Sequence, residues 1–282
     1  MSGRLIALQQ DKLRINDKKC VPEVGSLHEA TNCDLTGRAG ADGRFNPGQP
    51  NHNLELLTMH RTISEKLFEE FCATKGIACL RIAESDERTP DYELVVGAER
   101  IIVEVKEITP NKEEQESDVL LSQRGYGKVL SYTPGDRVRK KIADCSAQIK
   151  GRTGGKHASL LVVFDSVFGH VDPYNIRVAM YGLEQIRIEV PPIGMGSPHS
   201  TGMGYGPKRK MTPDHNTSIS AIGALSTTSS AEVFLHVYHN KFAHVPLKYA
   251  LLGQYGVEQF ELDDEMIGTT SKWRKVDLVA ET

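Results

Sequence analysis

Three side chains whose spacing could do chemistry lie close together in the sequence: Asp91, Glu104 and Lys106. They belong to residues 89–108, TPDYELVVGAERIIVEVKEI, where two apolar runs flank Gly97-Ala98, the pattern of a β-hairpin. With Gly97 and Ala98 as the central residues of a type II′ turn, Val96 opposes Glu99, Leu94 opposes Ile101 and Asp91 opposes Glu104. Opposed residues share a sheet face, with Cβ atoms roughly 5 Å apart. Lys106, two residues beyond Glu104, shares that face, while Val103 and Val105 point to the other one. Two carboxylates and an ammonium are thus expected on one surface. A longer turn would shift the register and loosen the Asp91–Glu104 pairing.

Adjacent carboxylates repel unless one is protonated or a cation lies between them. Hard oxygen ligands so arranged suit Mg²⁺ or Mn²⁺, which keep several waters and recruit phosphate oxygens. A neighbouring lysine would offset charge developing on a phosphate or position the attacking water. Pro90-Asp91 followed by Glu104-Val105-Lys106 resembles the signature of the PD-(D/E)xK nuclease superfamily. The resemblance implies that Asp91 and Glu104 hold the metal, that the Val105 carbonyl adds a ligand, and that Lys106 assists the water. It also implies a restriction-endonuclease-like αβββαβ core, a mixed central sheet flanked by helices.

The elements around the hairpin follow that order. Residues 62–75 read as a helix: Ile63, Leu67, Phe68 and Phe71 form an apolar stripe, Thr62-x-x-Glu65 is a capping box, and Gly76 is a fitting stop. Glu65 has two readings. It caps Thr62, or, as the resemblance implies, it joins the metal site. Residues 77–83 read as a first strand and 158–167 as a strand covered on both faces. Between them, 136–151 reads as a helix that Asp136 can cap, with Val138, Ile142, Cys145 and Ile149 on its apolar side. Its other side carries Arg137, Arg139, Lys140 and Lys141, a face that could contact phosphates or simply be solvated. Gln148, near the end of this helix, has counterparts beside the lysine in some superfamily members. The polar stretch 107–134 reads as an exposed loop or short helix.

The rest reads as three regions: a polar N-terminal extension (1–55), the core (56–170), and a β-rich C-terminal portion (171–282) packed on the same core. Strands are expected at 178–181, 186–190, 219–225 and 231–238. Residues 191–207 read as a Gly/Pro/Ser-rich loop, followed by Lys208-Arg209-Lys210, and 247–282 as a short helix and a tail with Trp273. His236 and His239 stand three apart in a strand, on opposite faces, which argues against a shared metal.

The 282 residues suffice for one large domain or two modest ones, and 39% hydrophobic with 25% charged residues argues against wholesale disorder. Five scattered cysteines without a CxxC pair indicate neither a disulfide framework nor zinc. No apolar run could span a bilayer and no signal segment opens the chain, so the expected location is cytoplasmic, away from membranes. The net charge of −3 gives no global basic signature, so a nucleic-acid partner must be met by a local patch. A homo-oligomer stays open.

The leading expectation is a Mg²⁺- or Mn²⁺-dependent nuclease acting on DNA. The alternative is a nuclease-fold protein that binds or scaffolds nucleic acid without cutting it. Paired carboxylates for glycoside hydrolysis fit less well, since Lys106 would have no role and the carboxylates are too close. A cross-strand ion pair on an exposed sheet face is the plain alternative for the motif.

Overall fold

The structure is a computed structural model that describes residues 61–83, 89–167, 169–263 and 273–277. The N-terminal extension expected at 1–55 lies outside the described residues. The described residues all belong to one compact unit.

Thr62 caps helix α1 (Ile63–Lys75): its hydroxyl accepts from the Glu65 N–H, and the Glu65 side chain accepts from the Thr62 N–H. Gly76 ends the helix at φ +69°, the left-handed conformation that glycine adopts without a Cβ penalty. Strand β1 (Ala78–Arg81) follows, then β2 (Tyr92–Val96) and β3 (Glu99–Ile108). The hairpin has the expected register: Val96 opposes Glu99, Leu94 opposes Ile101 and Tyr92 opposes Val103. Gly97, at φ +61°, supplies the positive φ of the turn.

The stretch after β3 forms helix α2 (Lys112–Arg124), opened by an Asn111/Glu114 capping box and buried nowhere along its length. Helix α3 (Asp136–Thr153) starts differently from expectation. Its N-cap is Gly135, and Asp136 is the first helical residue. Gly135 sits at φ +71° and its N–H donates to Asn175 Oδ1 at 2.7 Å. A Cβ there would lie 2.8 Å from Ala179 N and Asn175 O, so close helix packing requires the glycine.

Strand β4 (Ala158–Asp165) runs parallel to β3, with α3 as the crossover. Residues 178–181, expected as a strand, belong to helix α4 (Pro173–Tyr181), which Asp172 caps and Pro173 opens. Every residue from Asn175 to Tyr181 is buried, so no polar face interrupts the apolar run and periodicity alone could not separate helix from strand. Strand β5 (Glu184–Glu189) pairs with β6 (His199–Tyr205) in a separate two-stranded sheet, so the expected loop at 191–207 contains a strand. Strands β7 (Ala221–Thr227) and β8 (Val233–His239) return to the main sheet. The tail holds the expected short helix α5 (Tyr249–Gly253) and two unexpected strands, β9 (Glu258–Leu262) and β10 (Trp273–Lys275).

The central sheet has eight strands in the order β1-β2-β3-β4-β7-β8-β9-β10 and is mixed. It is parallel at β3/β4, β4/β7 and β8/β9 and antiparallel elsewhere. Side chains alternate across it. Ile101, Val103, Val105, Leu160 and Val162 pack with Phe68 and Phe71 of α1, and Leu252 of α5 joins the same core. Ile108, Leu161 and Val163 pack with Val138, Ile142 and Ile149 of α3 and with Ile176 of α4. The protein is therefore α/β, with helices on both faces of a mixed sheet. No helix among the described residues is long and apolar enough to cross a membrane.

Candidate metal and phosphodiesterase site

The alternation that sends Val103 and Val105 toward α1 sends Glu104 and Lys106 toward α3. Glu104 is fully buried, at 0% exposure, and forms an ion pair with Lys106, which reaches partly into solvent. From the opposite layer, Gln148 Nε2 of α3 donates to Glu104 Oε2 at 2.8 Å and also to the carbonyl of Thr89, two residues before Asp91. Glu104 Oε1 is buried, faces the Lys106 ammonium, and accepts no aligned hydrogen bond.

Asp91 immediately precedes β2, and its carboxylate lies at Val105 and within electrostatic reach of Glu104. Its Oδ2 accepts from the Val105 N–H at 2.7 Å. The N–H and C=O of a strand residue leave the strand on the same side. The Val105 carbonyl is thereby directed toward the side of β3 where Asp91 lies, past the end of β2.

The electrostatics follow from burial. Loss of water, and then the charge of Asp91, push the Glu104 carboxyl up to about 7, against the pull of Lys106. Burial likewise raises Asp91, which the Val105 amide and Lys106 partly offset. Burial works against the Lys106 ammonium, but its close pairing with Glu104 and the charge of Asp91 outweigh it, and its net shift is upward.

Glu65 lies within electrostatic reach of Asp91. Its helix packs on the other face of the sheet, and its oxygens are committed. Oε2 accepts from Thr62 N at 2.6 Å and from Thr62 Oγ1 at 2.9 Å, while Oε1 pairs with Arg81 at 3.2 Å. Among the described residues no group of three or more His, Cys, Asp or Glu side chains is placed to share a metal ion. Asp91, Glu104, Lys106 and Val105 are thus brought together, and Glu65 serves as a cap beside them.

This set still fits a small hard divalent ion. Two carboxylates stand side by side, one with a buried oxygen lacking an aligned donor, and a backbone carbonyl is directed to the same side. Mg²⁺ is commonly held by one or two carboxylates with waters completing the octahedron, so a third acidic side chain is not required.

Two contributors gain their place only from the fold. Arg81, opposite Tyr92 in the β1/β2 register, pairs with Glu65 and sits 5.8 Å over the Tyr92 ring. In the sequence it is a single charge closing a short apolar strand, with nothing nearby to mark it. Lys141 reads in the sequence as one member of a basic face. In the fold, Arg137, Lys141, Asp144 and Gln148 recur at helical spacing on the side of α3 that meets the site. A cavity of 440 Å³ lined by Thr89, Pro90, Asp144, Ala147, Gln148 and Arg152 opens beside Gln148.

His236 and His239 do not converge. His236 lies 3.4 Å from Glu258, and His239 is buried against Gln259 at 3.0 Å. Comparison with protein-family models, with curated proteins and with solved structures finds no match.

Proposed function

We propose that the protein is a divalent-metal-dependent phosphodiesterase acting on nucleic acid, with DNA the favoured substrate and a PD-(D/E)xK-type active site. The observation that carries this reading is the placement of Glu104. A fully buried carboxylate beside a second carboxylate is costly, and a site serving only stability gains nothing from it. Asp91, Glu104 and the Val105 carbonyl would hold Mg²⁺ or Mn²⁺. The bound ion would supply Lewis acidity and lower the pKa of its water. Gln148 fixes the orientation of Glu104, and the Asp91–Val105 hydrogen bond fixes Asp91. Lys106, partly exposed and paired with Glu104, would hold the attacking water or offset charge on the phosphate.

The α-β-β-β-α-β order of α1, β1–β3, α3 and β4, with α2 inserted, supports the resemblance. Incubation with plasmid, linear and single-stranded DNA and with RNA, in Mg²⁺ or Mn²⁺, tests the proposal. Cleavage is expected to need metal and to fall by on the order of a hundredfold or more in Lys106→Ala. Undiminished cleavage in that variant would remove the mechanism.

A second reading, nucleic-acid binding without cutting, draws on the direct Glu104–Lys106 ion pair, which satisfies both charges without an ion. Calorimetric titration with Mn²⁺ separates the two. A non-catalytic scaffold shows no binding that depends on Asp91.

A further inference from the structure

A second feature of α3 lies one step around the helix from the site. Asp136, Arg139, Lys140 and Ala143 line one wall of a 340 Å³ cleft, and Lys208, Arg209 and Lys210 line the other. Residues far apart in sequence, both basic, are thus folded face to face. Arg139 is buried and spent on structure: it donates to the Pro134 carbonyl at 2.8 Å and pairs with Asp136 at 3.2 Å. Lys140, Lys208, Arg209 and Lys210 have no such partner, and among the described residues none of the four forms an ion pair. Like charges facing one another across a cleft repel, so the arrangement is costly unless an anion enters it.

The cleft is built rather than incidental. The Lys210 N–H donates to the Ala179 carbonyl at 3.0 Å and the Met211 N–H to the Met180 carbonyl at 2.8 Å, tying the segment to the end of α4. Asn216 holds the Lys210 carbonyl at 2.7 Å, and Met211 is fully buried. Lys208 is held at φ +67°, a conformation that non-glycine residues rarely adopt. The cleft also borders the site electrostatically. Burial pushes the Lys141 ammonium down, Asp144 opposes this, and Lys106, Lys140 and Arg137 add to it, so Lys141 feels the charge of both the site and the cleft wall.

We infer that this cleft binds the phosphate backbone of a nucleic-acid strand, holding phosphates that flank the one at Asp91 and Glu104. That the polyanion is nucleic acid rests on the function proposed above; the cleft's affinity for a phosphate chain does not. It reconciles a net charge of −3 with a nucleic-acid partner, because the basic charge is local.

The test is binding of a labelled DNA duplex and a labelled single strand in metal-free buffer across a salt series, followed by fluorescence anisotropy. Wild type is compared with the combined variant Lys140→Ala, Lys208→Ala, Arg209→Ala and with the charge-retaining variant Lys140→Arg, Lys208→Arg. All three changed side chains are exposed, and thermal melts verify that each variant is folded. The alanine variant is expected to bind roughly tenfold or more weakly, with a salt slope lower by about one for each phosphate no longer neutralised. The arginine variant is expected to bind as wild type. Unchanged affinity and slope in the alanine variant would overturn the inference. Cleavage in Mn²⁺ is scored separately with Lys106→Ala. Weakened binding in the cleft variant with undiminished cleavage in Lys106→Ala would retain the cleft and discard the mechanism, and the reverse pattern would do the opposite.

Discussion

Gln148 of α3 and Glu104 of β3 meet across the boundary between helix layer and sheet, the amide donating to Oε2 at 2.8 Å. The same amide holds the Thr89 carbonyl. One side chain therefore ties the strand bearing Glu104, the segment leading into Asp91, and the helix that roofs them. Both carboxylates inherit their positions from the register of one hairpin and the packing of one crossover helix.

Gln148→Ala is expected to lower Mn²⁺ affinity and metal-dependent cleavage by on the order of 10–100-fold, the usual cost of losing a hydrogen-bond partner of a ligand. Calorimetry and a cleavage assay read the two effects. An unchanged affinity would show that Glu104 does not need this partner or does not hold the metal.

In the metal-free protein the contribution of Glu104 to stability is expected to fall as pH rises, while burial of His239, which holds its imidazole down to about 4, acts in the opposite sense between about 4 and 6.5. Glu104 titrates near 7 when folded against an ordinary 4.5, so between these values the folded state binds more protons than the unfolded one. Its favourable contribution is fully present below pH 4.5 and is lost as pH rises through about 7. Asp91 is also raised and acts in the same sense. The change from Glu104 is at most about 3 kcal/mol. Denaturant melts in chelator across this range measure it as the difference between wild type and Glu104→Gln, whose profile should rise more steeply with pH. The same pH profile in wild type and Glu104→Gln would contradict the burial of Glu104 as a carboxylate.

Glu65→Ala is expected to cost stability while leaving metal binding alone. It removes the acceptor for the Thr62 N–H and the partner of Arg81, about 2 kcal/mol together. Mn²⁺ affinity should stay within about twofold, since both Glu65 oxygens are taken up by Thr62 and Arg81. A loss of affinity as large as that of Asp91→Ala would place Glu65 among the ligands.

Much of this is legible in the sequence because it is local. The Thr62–Glu65 cap, the Gly97-Ala98 turn and the register that pairs Tyr92 with Val103 each depend on a few neighbouring residues. The crossover from β3 through α3 to β4 follows from an apolar strand after an amphipathic helix. What stays hidden is non-local. Residues 178–181 are apolar on every side because α4 is enclosed, and Pro173 after Asp172 is a start signal that the apolar run obscures. β6 is Gly-rich and largely exposed, so it lacks the alternation of a half-buried strand and is defined by its pairing with β5. Arg81 acquires meaning only when β1 pairs with β2. Lys208–Lys210 acquires it only when α4 carries that segment to α3.

Gly135→Ala is expected to be strongly destabilising, although it lies far along α3 from Glu104. The added Cβ would meet Ala179 N and Asn175 O at 2.8 Å, and both are backbone atoms that cannot rotate away. The residue would also have to hold φ +71°. The left-handed conformation alone costs about 1–2 kcal/mol, and overpacking adds a similar amount, giving about 3 kcal/mol in a denaturant melt. The strain acts where α3 docks on α4. Relief by displacement of α3 would carry Gln148 off Glu104, so Mn²⁺ affinity should fall with stability in this variant. Asn175→Ala removes the acceptor for the Gly135 N–H, and with it the donor to the Gly169 carbonyl and Asp172 Oδ2, without adding bulk, and should cost less Mn²⁺ affinity than Gly135→Ala. Equal losses of affinity in both would assign the effect to the lost hydrogen bonds and leave the close approach of α3 and α4 without consequence for the site.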